Sequence, residues 1–212
     1  MSIQQKQFTK FIKLLSDNDC LPHVILVGSW AEFIYEQTGM LENFTPNIKT
    51  MDIDFLLINM RKPNPPANVT ALARDAGYLV ENDILDGTTK ILDKEGLEIE
   101  FLINKAGAGL ESSLKTNLGV VAQSLRYMDI LLNNSTSVDY LGMSLTVPFP
   151  EAYVIHKMVI NNQRKGKREK DRNAIINLFP YLDPERFQNI KDSLSKKEQK
   201  AVNTFIEEYL SH

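Results

Sequence analysis

Two short acidic strands carry the residues best suited to chemistry in this chain. In Met51–Ile58, "MDIDFLLI", alternate side chains of an extended segment point to opposite faces. Met51, Ile53, Phe55 and Leu57 share one face, and Asp52 and Asp54 share the other with Leu56. Leu97–Ile103, "LEIEFLI", repeats the pattern with Glu98, Glu100 and Leu102. If the two strands are neighbours in one sheet, up to four carboxylates converge on one end of one face. Carboxylates held that close either rise in pKa or recruit a cation. Magnesium suits such a cluster, because it takes hard oxygen ligands and commonly uses one or two carboxylates plus substrate phosphates. Two such ions can clamp the attacking and leaving oxygens of an in-line phosphoryl displacement.

A second feature, upstream, complements the acids. "HVILV", 23–27, reads as a buried strand that runs into Gly28-Ser29, and "SWAEFIYEQTG" then reads as a helix stopping at Gly39. Ser29 as N-cap with Glu32 three residues on matches a capping box. A helix start offers unpaired N–H groups and the positive end of the helix dipole, so it can seat a phosphate. Gly28 lets the phosphate approach the backbone, and Ser29 can add a hydroxyl. Gly-Ser after one strand and Asp-x-Asp on the next together make a triphosphate-plus-metal site.

The elements that must hold these residues follow from periodicity. Phe8, Phe11, Ile12 and Leu15 fall at helical spacing, which predicts a first helix ending near Asp17. Met40–Lys49 reads as a loop, "RKPNPPAN" as a turn-rich connector, and Val69–Ala76 as a short helix. Residues 88–103 read as a hairpin turning at Lys94–Gly96, and "KAGAGLESS" as a loop. The stretch 117–147 has no clean period, apart from a strand in "MSLTVPFP". After Pro150 the segments "EAYVIHKMVINNQ", "KDRNAIINLF", "PERFQNI" and the run from Lys196 all read as helices. The expected organisation is therefore an α+β lobe, 1–148, with a small mixed β-sheet and flanking helices, and a helical lobe, 149–212.

Composition narrows the setting. The 212 residues are 43% hydrophobic and 24% charged, with a net charge of −3, which is ordinary for a globular chain. The segment Gln163–Arg172 carries +4, leaving −7 on the rest. That basic stretch is a solvated turn or a local anion site. Cys20 is the single cysteine, so no internal disulfide forms, and the three histidines show no zinc spacing. No apolar run reaches membrane-spanning length, and the N-terminus lacks a signal-peptide core. A cytoplasmic protein with no membrane partner is expected. Trp30 is read as a core anchor, His156 as a packed or surface histidine, and Cys20 as inert.

"VGSWA", 27–31, followed by "TMDIDF", 50–55, resembles the signature of the nucleotidyltransferase superfamily related to DNA polymerase β. The resemblance implies that Asp52 and Asp54 hold Mg²⁺ or Mn²⁺, with Glu100 as third carboxylate and Glu98 as the alternative. It implies a nucleoside triphosphate substrate bound at Gly28 and Ser29, and a nucleoside monophosphate transferred to an acceptor such as tRNA, a protein or a small molecule. The sequence departs from the family in its longer gap from Ser29 to Asp52 and in having Glu where Asp is commoner. "PEAYVIHKMVINNQRKGKREKDRNAIINLF" resembles the helical lobe of bacterial abortive-infection, type IV toxin nucleotidyltransferases. That likeness implies that Lys157 faces the nucleotide phosphates, that Lys170 and Asp171 open the next helix at the same site, and that an antitoxin-like partner exists. Two other readings fit the residues: a nucleotide-sensing or partner-binding module on the same fold, and a nucleic-acid-binding regulator using the basic segment.

Overall fold

The computed structural model describes residues 2–46, 51–105, 112–161 and 166–210. Parts of three expected segments fall outside them: 47–49 of the loop before the acidic strand, 106–111 of the glycine-rich loop, and 163–165 of the basic stretch.

Helix α1 (Ile3–Asp17) opens on a capping box between Ser2 and Gln5 and buries Phe8, Phe11, Ile12 and Leu15. A 3₁₀ turn leads into β1 (Val24–Val27), whose four residues are all buried. Helix α2 (Ser29–Gln37) follows at once, and Gly39, at φ 69°, ends it as the sequence predicts. Then come β2 (Asp52–Leu57), α3 (Val69–Asp75), β3 (Leu79–Asn82), β4 (Thr89–Leu92), β5 (Glu98–Asn104), β6 (Ser113–Lys115) and β7 (Val121–Leu125). Helix α4 (Asp129–Asn133) precedes a hairpin of β8 (Ser135–Tyr140) and β9 (Met143–Pro148). Four helices finish the chain: α5 (Pro150–Asn161), α6 (Arg168–Leu178), α7 (Pro184–Ser193) and α8 (Lys196–Tyr209).

The main sheet has seven strands and is mixed. β1 pairs antiparallel with β2, β2 pairs parallel with β5, and β4 pairs antiparallel with β5, with β3 beyond it. The far end of β5, Leu102–Asn104, pairs parallel with β7, and β6 flanks β7. Thus β5 is central, and its two ends have different neighbours. The hairpin expected at 88–103 is β4–β5. The ambiguous 117–147 region resolves into β7, α4 and β8–β9, the last strand matching "MSLTVPFP".

One apolar cluster joins the layers, from Phe8 on α1 through β1, β2 and β5 to Val154 and Ile155 on α5 and Phe205 on α8. At its centre the Phe8 ring stacks on Trp30 at 4.4 Å between centroids with a 5° interplanar angle, and Phe33 meets both rings edge-on. Trp30 is 1% exposed, so the first turn of α2 is pinned to α1 by its own second residue. Cys20 is buried, and burial followed by the charge of Asp19 pushes its thiol up to about 11, which keeps it unreactive. Among the described residues no helix is long and apolar enough to cross a membrane.

The local start of α2 corrects the sequence. Gly28, not Ser29, is the N-cap, with φ 69° and ψ −164°, and Ser29 is the first helical residue. Glu32 does not reach back to a cap. It is buried and accepts a 2.7 Å hydrogen bond from the Tyr153 hydroxyl on α5. Burial against the helical lobe overrides the local capping pattern.

Since Trp30 ties α1 to the start of α2, Trp30→Ala is expected to cost about 3–5 kcal/mol of stability, read by chemical denaturation. A loss below about 1 kcal/mol would mean that the stack is incidental.

Candidate active site

The acids assemble through register. β2 and β5 lie side by side with Asp52 opposite Glu98 and Asp54 opposite Glu100. Paired residues of parallel strands share a face, so the four carboxylates occupy one face, as the alternating pattern requires. Ile53, Phe55, Ile99 and Phe101 fill the other face and are at most 1% exposed. On the opposite edge of β2, Asp54 is the register partner of Val27, the residue before Gly28. The Asp54 carboxylate therefore reaches the turn into α2. A Cβ at position 28 would overlap Asp54 Oδ2. Only glycine fits, both for that space and for its positive φ.

Glu100 is held above the usual carboxylate range. Burial is the main cause, then the charges of Asp54 and Glu98, with Asp52 adding to them and Lys90 opposing. The sequence reading missed Lys90. It sits on β4 opposite Glu100 in the antiparallel register, and its Nζ lies 2.8 Å from Glu98 Oε1 and 3.6 Å from Glu100 Oε1. It thus lies closer to Glu98, while Glu100 is the carboxylate in register with Asp54. Lys90 is itself raised, first by its hydrogen bond with Glu98.

A cleft of about 580 Å³ opens over this face. Gly28, Asp54 and Glu100 line it from the sheet, and Tyr153, His156 and Lys157 from α5. Asp52, Ser29, Lys170 and Asp171 are not among its lining residues. Lys157 is 7% exposed and donates to Asp171 Oδ1 at 2.6 Å, with its Nζ 4.9 Å from the Tyr153 ring centroid. Asp171, in the first turn of α6, is 2% exposed, whereas Lys170 beside it is exposed. The expected pair thus divides: Asp171 anchors Lys157, and Lys170 faces solvent. His156 is buried and belongs to the cleft wall. Glu32, under Tyr153, is raised chiefly by burial, with the Tyr153 hydrogen bond and the charges of Lys157 and Lys170 opposing.

Three more cations of the cleft were not singled out as site residues: Lys105, Arg126 and Lys167. Lys105 and Arg126 follow the ends of β5 and β7, which the backbone bond from Lys105 N–H to the Leu125 carbonyl (2.8 Å) holds together. One wall of the cleft is acidic and the rest carries positive charge, an arrangement that takes an anionic ligand bridged to carboxylates by a cation.

The donor chemistry fits a hard divalent ion. The charge of Asp54 raises the cost of ionising Glu100, and a cation beside them would relieve it. Among the described residues no three His, Cys, Asp or Glu side chains close on a single ion position. An ion here would use few carboxylates and complete its shell from water and ligand oxygens, the coordination that magnesium favours.

Comparison with known proteins gives the family and the fold. A family model described as nucleotidyltransferase matches residues 6–199. No curated protein matches the chain by sequence. Among solved structures, an antigenic nucleotidyltransferase-like protein from Paracoccidioides brasiliensis has a TM-score of 0.55 at 16% identity, covering 94% of this chain and 87% of its own; it shares the fold. ANT(2'')-Ia in complex with adenylyl-2''-tobramycin has a TM-score of 0.49 at 11% identity, covering 97% of this chain and 98% of its own.

Two outcomes follow from the packing. Gly28→Ala is expected to lose about 1–3 kcal/mol from the backbone alone, since φ 69° with ψ −164° is a region essentially reserved for glycine, and to displace Asp54 from the cleft; a variant with wild-type melting and an unmoved Asp54 would contradict this. Lys90→Met removes the cation that lowers Glu100, so the Glu100 carboxyl is expected to titrate at still higher pH, followed by carbon-13 NMR. An unchanged or lowered titration midpoint would show that Lys90 does not act on it.

Proposed function

The chain belongs to the nucleotidyltransferase family, and on that premise we propose that it moves a nucleoside monophosphate from a nucleoside triphosphate to an acceptor hydroxyl. The acceptor oxygen attacks the α-phosphorus, the bond from that phosphorus to the β-bridging oxygen breaks, and pyrophosphate leaves. The observation that supports this reading most strongly is the meeting of Gly28 and Asp54: the opening of α2 and the acidic strand face one cleft.

Each residue has a role in that scheme. The uncapped N–H groups at the start of α2 seat phosphate oxygens, helped by the helix dipole and by the Ser29 hydroxyl. Gly28 keeps that approach open. Asp54 and Glu100 are the cleft residues that would hold Mg²⁺ or Mn²⁺, with Asp52 on the same face of β2 as the further carboxylate of the set; the ion when bound would neutralise phosphate charge and acidify the attacking hydroxyl. Glu100, beside Asp54 in the cleft wall, would be the carboxylate placed to take up the hydroxyl proton. Lys157, fixed by Asp171, turns a buried positive charge toward the phosphates, and Lys170 adds a more distant one. The helical lobe, 149–212, thereby closes the nucleotide side of the cleft. Such catalysis works by positioning and charge neutralisation rather than by a covalent intermediate.

Transfer of label tests this directly. The protein is incubated with each α-labelled nucleoside triphosphate, Mg²⁺ or Mn²⁺, and in separate arms tRNA, a protein extract or a small-molecule extract. Label is expected on one acceptor class, which identifies the acceptor, and is expected to fall ~100-fold or more in the Asp52→Asn, Asp54→Asn double variant. Undiminished transfer by that variant would overturn the roles of the two aspartates. Nucleotide binding without transfer in any arm would favour a sensor.

A further inference from the structure

Besides Asp and Asn residues, two non-glycine residues hold a positive φ among the described residues: Tyr127 at 65° and Leu141 at 55°. Leu141 is explained by its place. It shares the two-residue turn Leu141-Gly142 between Tyr140 and Met143, which pair in the β8–β9 hairpin, and such turns favour left-handed φ at both central positions. Tyr127 is in no hairpin. It stands at the corner between β7 and α4, where a glycine would adopt the same backbone at less cost. An aromatic residue kept in that conformation is held by its surroundings, and strain of this kind gathers at ligand sites. Tyr127 is half-buried and forms part of the wall of the cleft that contains Gly28, Asp54 and Glu100.

Its position along the sheet matters. β5 and β7 run parallel with Asn104 opposite Leu125. The Tyr127 corner thus lies past the strand ends, with Asn104 four residues beyond Glu100, roughly 13 Å along the strand. The wall there is apolar, from Leu125, Met128, Leu131 and Ile160, with Arg126 at the same corner. A cleft that is acidic at one end and, past the strand ends, aromatic and aliphatic with the cations Lys105 and Arg126 beside it matches a nucleoside triphosphate laid lengthwise. Resting on the nucleotidyltransfer reading, we propose that Tyr127 is the nucleobase platform: its ring stacks on the base while the triphosphate extends toward Gly28 and Asp54. Every base has a π-face, so such stacking tolerates all four.

The backbone supplies an unusual control. Tyr127→Gly removes the ring and also the left-handed strain; because the ring packs in part against the core, relief of the strain is expected to hold the loss of melting temperature below that of Tyr127→Leu. Tyr127→Leu keeps the strain and removes the ring, and Tyr127→Phe keeps both ring and strain. The probes are α,β-methylene-ATP and inorganic tripolyphosphate, each with Mg²⁺, measured by calorimetry. The Gly and Leu variants are expected to bind the nucleotide about tenfold more weakly or worse, with tripolyphosphate affinity unchanged and Phe within about twofold of wild type. Wild-type nucleotide affinity in the Gly and Leu variants would overturn the platform and leave the transferase reading intact. So would a parallel loss of tripolyphosphate binding and melting temperature, which marks a structural residue. Wild-type protein that binds neither probe would overturn both.

Discussion

The site depends on the absence of a side chain at position 28. β1 and β2 are antiparallel with Val27 opposite Asp54, so the carboxylate of Asp54 projects into the turn that starts α2. A Cβ there would collide with it. Glycine resolves the collision and supplies the positive φ that bends the chain from strand to helix. A carboxylate and a row of helix N–H groups thereby share one space. The helix dipole favours the negative charge, while neighbouring Glu100, partly buried beside Asp54, is driven upward. The acidic strand and the helix start thus meet at one point, which is the feature the proposed polyphosphate-and-cation site draws on.

The rest of the charge layout surrounds that meeting point. Lys90 takes up Glu98 and touches Glu100 from the hairpin side, so the acidic face is graded rather than uniform. On the far side Lys157 and Asp171 form an ion pair buried to below 10% exposure. A buried ion pair gives little net stability once desolvation is counted, so its location in the cleft wall points to positioning of the lysine. The Tyr153 hydroxyl, bonded to Glu32 on α2, links that pair to the helix whose start faces Asp54. Helix α2 and Lys157 are thus connected through one tyrosine.

Much of this could be read from the amino-acid order. Period-two alternation in 51–58 and 97–103 defines both strands and the shared face of their acids, because a one-residue slip would bury the carboxylates. Lys90 was within reach too: a hairpin turning at Lys94–Gly96 puts it opposite Glu100 by counting back from the turn. Glu32 was not. The Ser29-x-x-Glu32 pattern is a valid local signal, and it loses to a buried partner 121 residues away. The Arg126–Tyr127 corner was also hidden, because 117–147 breaks into short elements with no sustained period, and a left-handed tyrosine has no signature of its own. The pairing of Lys157 with Asp171 was not read from the sequence: the resemblance put both at one site without joining them, and a lysine on an apolar helix ordinarily snorkels to water.

The most direct measurement is a crystal structure with α,β-methylene-ATP and Mn²⁺, in which the metal is located by its anomalous signal. The account predicts a manganese peak bridging Asp54 to triphosphate oxygens, with phosphate against the first N–H groups of α2. A nucleotide bound elsewhere, or bound in the cleft with no metal peak at Asp54, would contradict it.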